Sequence, residues 1–365
     1  RKVPPSLTEA WGKDVEVRPE SDMAGWFKDF VKKSKAGTVL LTPCYTPQAI
    51  VTMLEKAGAK TKLGREPVEL AKAIKNNTEQ QGMRNAHLRD GVAITRFLHW
   101  LDTKALSEGA SELTAVETLR NFRREVDGYT DDSFDAIAGM GAHGAIVHYR
   151  ATPDSDIPLT SDSLFLIDSG GQYPDGTTDI TRTVALGRPG PQMCVHYTLV
   201  LKAHLAVSLA RFPKRTMGAA IDALARQPLW ERGLDFDHGT GHGVGHFLNV
   251  HEGPQRISKL SHDNWLEPGM ILSNEPGYYR EGEYGIRIEN LVLVRPDPQP
   301  GDERDMQSFE TLTLAPYDRH LIVAEMLTPA EQAWIDAYHQ RVYELLAPQL
   351  DDTVRDWLAE ATQPV

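Results

Sequence analysis

Two stretches of this chain put an acidic residue where a buried strand would carry an apolar one. Asp168 ends the apolar run LFLI, and Asp179 sits inside TTDITRTV, whose β-branched residues otherwise describe a strand. Buried carboxylates need partners. If the glycine-rich segment between them folds back near Tyr173-Pro174, the two acids lie equidistant from the turn and meet across a hairpin. Adjacent carboxylates repel unless protonated or bridged by a cation. Taken alone, the pair also fits a plainer arrangement, with Asp168 capping a loop and Asp179 on an exposed strand face.

Composition narrows the classes. The 365 residues hold 39 Lys and Arg against 51 Asp and Glu, a formal charge of -12, the wrong sign for a protein that tracks phosphates, so no nucleic-acid partner is expected. Cys44 and Cys194 are the only cysteines, too few for a disulfide scaffold or a cysteine zinc site, which fits a reducing, cytoplasmic compartment. No uninterrupted apolar stretch has the length of a membrane span, and Arg1 to Pro5 lack a signal-peptide core, so no membrane association is expected. The chain opens on Arg1 rather than methionine and runs at once into structured-looking sequence, which points to part of a longer polypeptide.

Periodicity organises the rest. Residues 24–35 place Trp26, Phe27, Phe30 and Val31 on one helical face, TVLLT at 38–42 reads as a strand, Thr46-Pro47 caps a helix over QAIVTMLEKAG, and KTKL closes a small β/α unit. A long helix runs from Asn77 to about Leu106, with Thr78 as its N-cap and Gly109 near its stop, and Ser111 opens another. Between 140 and 190 the texture is β, through GAIVHYRA, SLFLIDSGGQY and TTDITRTVAL. Two more helices, CVHYTLVLKAHLAVSLARF and MGAAIDALARQPLWERG, precede a second β region. Helices then strands thus occur twice, the mark of an α+β chain of two related halves, and two amphipathic helices end it.

The second β region holds HGTGHGVGHFLNVH, with His238, His242 and His246 spaced four apart. Glycines at 239, 241, 243 and 245 oppose a helix at close to 1 kcal/mol each, so an extended segment is expected, its even-numbered side chains sharing a face. One of these histidines is assigned as a metal ligand and the others structural or proton-transfer roles. Glu275 follows GMILSN, and Glu289 lies in GIRIENLVLV, whose alternation puts Arg287 on the same strand face. Four carboxylates and one histidine form an oxygen-rich set suited to hard or borderline divalent cations. Two such cations would balance four negative charges, which favours a dinuclear site with a bridging water or hydroxide.

In order and context, Asp168, Asp179, His242, Glu275 and Glu289 resemble the metal ligands of the pita-bread metallopeptidases, which include methionine aminopeptidase, prolidase and aminopeptidase P. IDSGGQYPDGTTDITRT, HGTGHGVGHFLNVHEGP, NEPGYY and GIRIEN look like the cytosolic type of aminopeptidase P, the Xaa-Pro aminopeptidases, over roughly residues 70–365. The resemblance implies a partial creatinase-like domain over 1–70, a pita-bread catalytic domain of pseudo-twofold halves over 71–325 and a helical extension over 326–365. It implies two divalent ions, manganese by preference with cobalt or zinc as substitutes, peptide substrates with proline second, and a homodimer in the full-length form. It carries His148, His238 and His251 to the substrate, with His148 and His251 assisting proton transfer, and makes Glu275 a catalytic base as well as a ligand. Tyr279 and Arg287 are implied to support the metal shell beside the substrate. His246 stands where the family has a small residue and receives no role. A prolidase-like dipeptidase is the rival reading. A non-catalytic pita-bread binding protein is a second, and the presence of all five ligands argues against it.

Overall fold

The computed structural model describes residues 3–34, 38–43, 45–260 and 264–365; Cys44, and Lys35 at the end of the first expected helix, lie outside these. It divides into two compact units, Arg1–Leu70 and Ala71–Val365.

In the first unit a helix over Met23–Lys33 precedes two parallel strands, Thr38–Leu41 and Lys60–Leu63, joined through the helix Gln48–Lys56. A short helix over Pro5–Trp11, which the periodicity did not reveal, opens the unit. Among the described residues of this unit the strands have four residues each and the helices are short, which leaves little to cover the apolar faces. Trp26 and Phe30, stacked 5.1 Å apart on the expected helical face, remain 42% exposed each.

The second unit opens with the helix Asn77–Thr103. Its cap is Asn76 rather than Thr78: the extended backbone of Asn76 lets its side chain accept from the amides of Thr78 and Glu79, while Glu79 accepts from the amide of Asn76. Thr78 already lies inside the helix. Ser111 caps the next helix, Glu112–Arg124, through the amide of Thr114. These helices pack Ile94, Phe97, Leu101, Ala115 and Leu119 against Phe165 and Ile167 of an antiparallel sheet of Ile137–Met140, Ser163–Ser169 and Ile180–Leu186. Each such large apolar side chain contributes about 1.5–3 kcal/mol.

Two expectations for this half need correction. The turn of the long hairpin falls at Pro174-Asp175, between Tyr173 and its partner Gly176, so Asp168 stands opposite Thr181. Asp179 is therefore Asp168's diagonal neighbour, on the same face but two residues along. GAIVHYRA is not a strand, because Gly141–Ala145 is a turn of 3-10 helix and 146–150 follow irregularly. Glycine permits this course: a Cβ on Gly285 would come within 1.7 Å of the Gly144 carbonyl oxygen, so backbone lies on backbone.

Helices Pro191–Ser208 and Gly218–Trp230 repeat the helix pair, and a six-stranded sheet repeats the strands, in the order Glu252–Ile257, Gly241–Gly243, Ile271–Asn274, Asn290–Pro296, Met306–Thr311 and Arg211–Pro213. The extended segment expected over 238–251 shrinks to Gly241–Gly243, and the backbone turns left-handed at Phe247, Leu248 and Asn249. GIRIENLVLV is two strands, not one: Tyr284–Arg287 pairs with Gly277–Arg280, Asn290–Pro296 joins the large sheet, and Glu289 lies at the crossover. Residues 326–365 supply the helices Pro329–Leu346 and Asp352–Ala361, whose Ile335, Tyr338, Val342, Leu346 and Leu358 join one core cluster with Tyr197, Leu201 and Ile286. They complete the core of this unit rather than hang from it. Among the described residues no helix is long and apolar enough to cross a membrane.

Candidate metal centre

Three of the expected ligands converge directly. One donor atom from each of Asp179, His242 and Glu289 lies within 4.8 Å of the others. Asp179 enters just before the strand Ile180–Leu186, His242 from the centre of Gly241–Gly243, and Glu289 from the crossover, where its amide donates to the Thr181 carbonyl. Glu275 joins them, its Oε1 3.4 Å from His242 Nε2, the same distance that separates Nε2 from Asp179 Oδ2. Asp168 is drawn in through Arg287, whose Nη2 donates to its Oδ2 at 2.7 Å.

The glycines around His242 now have a reason. A Cβ on Gly241 would strike the Ser273 carbonyl at 1.9 Å, and one on Gly243 the Glu252 carbonyl at 2.1 Å, so only glycine lets this strand sit between its neighbours. His242 Nδ1 donates to the Gly243 carbonyl at 3.0 Å, which leaves Nε2 aimed at the carboxylates.

The carboxylates have too few donors. Asp168 Oδ1, Asp179 Oδ1 and Glu289 Oε1 are buried without a hydrogen-bond partner among the described residues. Burial, followed by the charges of Asp179, Glu275 and Asp168, raises Glu289 well above the ordinary carboxylate range. Glu275 is raised as well, chiefly by burial. Asp179 is pushed up to about 7 by burial and by Asp168 and Glu275, against the pull of His242. Burial would depress His242, but its hydrogen bond to Asp179 and the charge of Glu275 lift it to about 9. The common cause is an excess of buried negative charge. Bare carboxylate oxygens around one imidazole nitrogen are the donor set that hard or borderline divalent cations prefer, so these five residues could hold such ions.

A second network borders the cluster. Arg287 Nη1 donates to the Tyr279 hydroxyl at 2.7 Å, and that hydroxyl donates to His238 Nε2 at 2.8 Å, while His238 Nδ1 donates to the Gly239 carbonyl. Burial lowers His238 to about 4, so its ring is neutral and its tautomer is set at both nitrogens. The His251 ring lies 4.2 Å from that of His242, centre to centre. Exposed His148 faces the same region, since its charge lowers both His238 and His251. His246 lies elsewhere, its Nε2 about 3.1 Å from where a Cβ on Gly82 would stand.

Sequence reasoning missed the groups that aim these side chains. Thr181 accepts from Arg287 Nε at 3.2 Å and donates to Glu289 Oε2 at 2.8 Å, so Arg287 and Glu289 meet at one hydroxyl although their strand is broken. Ser273 donates to Glu275 Oε1 and accepts from the His242 amide. Each lies in a strand two residues from an expected ligand just beyond that strand's end, Asp179 or Glu275, a spacing that alternation could have exposed. Arg182 could not have been found that way: its buried guanidinium donates to the carbonyls of Thr181, Glu289, Ala315 and Pro316, and to Asn290 Oδ1.

The chain is similar in sequence and fold to known proteins. Metallopeptidase family M24 matches residues 81–296, and the C-terminal region of peptidase M24 matches residues 305–365. The probable Xaa-Pro aminopeptidase P of Coprinopsis cinerea is 41% identical over 97% of the chain and 60% of its own length. Xaa-Pro aminopeptidase 1 of Dictyostelium discoideum is 42% identical over 96% of the chain and 57% of its own length. The chain thus spans about three fifths of these relatives. Among solved structures, the X-prolyl aminopeptidase of Caenorhabditis elegans, described as a cytosolic enzyme with a di-nuclear active site, superposes with a TM-score of 0.92 at 36% identity, over all of this chain and 60% of that one. The Xaa-Pro dipeptidase of Bacillus anthracis superposes with a TM-score of 0.67 at 28% identity, over 80% of this chain and 77% of that one. The two α+β halves therefore form the pita-bread fold.

Proposed function

The chain belongs to metallopeptidase family M24, and from that premise we propose that it hydrolyses the first peptide bond of substrates with proline at the second position. The observation that carries this reading is the set of bare, buried oxygens on Asp168, Asp179 and Glu289, gathered with Glu275 around His242 Nε2. Four carboxylates call for about two divalent ions, manganese by preference, with Asp168, Asp179, His242, Glu275 and Glu289 as ligands. When bound, the ions supply Lewis acidity toward the scissile carbonyl and make water a nucleophile near neutral pH.

The side chains do the rest. Glu275, held through Oε1 by Ser273, takes a proton from the attacking water on its carboxylate. His148 and His251 donate to the developing oxyanion and to the leaving nitrogen, roles open to an imidazole because its two ring nitrogens can carry and pass a proton. His238, with Nε2 engaged by Tyr279, keeps the wall of the substrate site in one hydrogen-bonding state. Arg287 orients the carboxylate of Asp168. Proline has no amide hydrogen, so a site shaped to its ring can discriminate it.

The catalytic body is assigned to residues 71–325 with a helical extension over 326–365, and residues 1–70 to part of a creatinase-like domain. The full-length protein is read as a cytoplasmic homodimer, for which the description of the C. elegans enzyme as cytosolic gives support as to compartment. Manganese-loaded protein offered an Xaa-Pro-Xaa tripeptide and an Xaa-Pro dipeptide provides the test. Cleavage of the tripeptide with close to two ions per chain is expected. Cleavage of the dipeptide alone would make it a prolidase-like enzyme, and a stoichiometry near one in the active protein would overturn the dinuclear reading.

A further inference from the structure

Glu112 is fully buried at the first position of the helix Glu112–Arg124, yet its contacts lie with the segment that carries His148. Its Oε1 accepts from the amide of Met140 at 2.8 Å and from His143 Nδ1 at 2.9 Å, and its Oε2 accepts from the Tyr149 hydroxyl at 2.9 Å. One carboxylate therefore gathers the strand end before the turn, the middle of the turn and the residue next to His148. The His143 and Tyr149 rings lie against each other with centres 4.4 Å apart. Beneath them Gly144 rests on the backbone of Gly285, two residues before Arg287. His148 itself is exposed, with nothing of its own burial to hold it.

A carboxylate buried without a guanidinium or ammonium partner is costly unless every lone pair is used. Here three donors from one loop engage both oxygens, His143 Nδ1 lying within reach of each. An ordinary ion pair would have tied the helix to any convenient cation; this arrangement spends the buried charge on the shape of residues 140–149. We infer that Glu112 is a positioning residue for His148, fixing the turn from Met140 to Tyr149 so that the exposed imidazole is held over the substrate side of the metal centre. This rests on the proposed role of His148.

The test uses the manganese-loaded full-length protein and an Xaa-Pro tripeptide. Glu112→Gln keeps the shape of the side chain but replaces one acceptor oxygen by a donor, so at least one of the three contacts is lost. Because a displacement near 1 Å costs about a hundredfold, kcat should fall roughly ten- to a hundredfold, with KM changed far less and two metals retained. Tyr149→Phe keeps the ring contact with His143 and removes one donor, so it should show a smaller loss of the same kind and serves if the first variant does not fold. The deciding comparison is made with His148→Ala: Glu112→Gln added to it should slow turnover no further. Exchange of backbone amides over 140–149 should quicken in Glu112→Gln while 271–290 stay protected. Wild-type kcat in both Glu112→Gln and Tyr149→Phe, or a double-variant loss equal to the product of the single losses, would overturn the inference. His148→Ala at full turnover would overturn it too, by removing the reading of His148 beneath it.

Discussion

Asp179→Asn should make the metal-free protein more stable while abolishing its response to metal. Asp179 is 3% exposed, and its carboxyl is pushed from an ordinary 3.8 to about 7 by burial and then by Asp168 and Glu275, against the pull of His242. The unfolded chain ionises this group near its ordinary value, whereas the folded chain holds the proton to about 7. Between those values the folded state binds more protons, so stability falls as pH rises, and the full penalty stands above pH 7. Three units at roughly 1.4 kcal/mol each give a penalty on the order of 4 kcal/mol. Asparagine escapes it, keeps an oxygen toward His242 Nε2 and forfeits only the charge on that contact, so the net gain at pH 8 should be on the order of 2–4 kcal/mol. For a unit of this size that is roughly 4–8 °C in melting temperature. At pH 5 only about a third of the interval has been crossed, and the gain should shrink in proportion. The assay is differential scanning calorimetry of chelator-treated wild type and variant at both pH values, then with manganese restored. Wild type should gain stability from manganese and the variant little. A variant that melts at or below wild type at pH 8, or gains equally at both pH values, would refute the argument from buried charge.

Other expectations follow from the same geometry. Thr181→Val preserves volume but strips the hydroxyl shared by Arg287 and Glu289, so metal affinity measured by chelator competition should weaken about ten- to a hundredfold; unchanged affinity would leave Thr181 without a part in aiming Glu289. Arg182→Met leaves the carbonyls of Glu289 and Pro316 without their guanidinium donor, while Ala315 keeps only the Tyr338 hydroxyl, and denaturant unfolding should register a loss of about 3–5 kcal/mol; a loss under about 1 kcal/mol would count against that role. His242→Ala should lose metal by elemental analysis, whereas His251→Ala should keep both ions and lose about a hundredfold or more in turnover. Metal lost from His251→Ala would place that ring among the ligands.

Local chemistry made much of this protein legible from its residues. Ser111 opens a helix because a side-chain oxygen beside extended backbone satisfies a free amide, and alternation brings an acid to a strand face wherever the chain folds. The acidic positions Asp168, Asp179, Glu275 and Glu289 stood out by residue chemistry alone, and the family resemblance singled out His242 among its neighbours. Tertiary structure decided what depends on partners far along the chain. Asp168 faces Thr181 rather than Asp179 because the turn lies at Pro174-Asp175, and a small shift in a turn moves every pair beyond it. GAIVHYRA has the apolar content of a strand, yet its course is set by close packing of Gly144 on Gly285, which no local pattern encodes. GIRIENLVLV alternates from Ile286 to Glu289 and then runs apolar, which reads as one strand, yet it divides between two sheets because Tyr284–Arg287 and Asn290–Pro296 find different partners. Thr181 and Glu289 are 108 residues apart and Glu112 and Met140 are 28 apart, so these bonds follow from the packing of whole elements. Sequence periodicity reports which face of an element is apolar, whereas the aim of a carboxylate depends on which donors the fold brings to its oxygens.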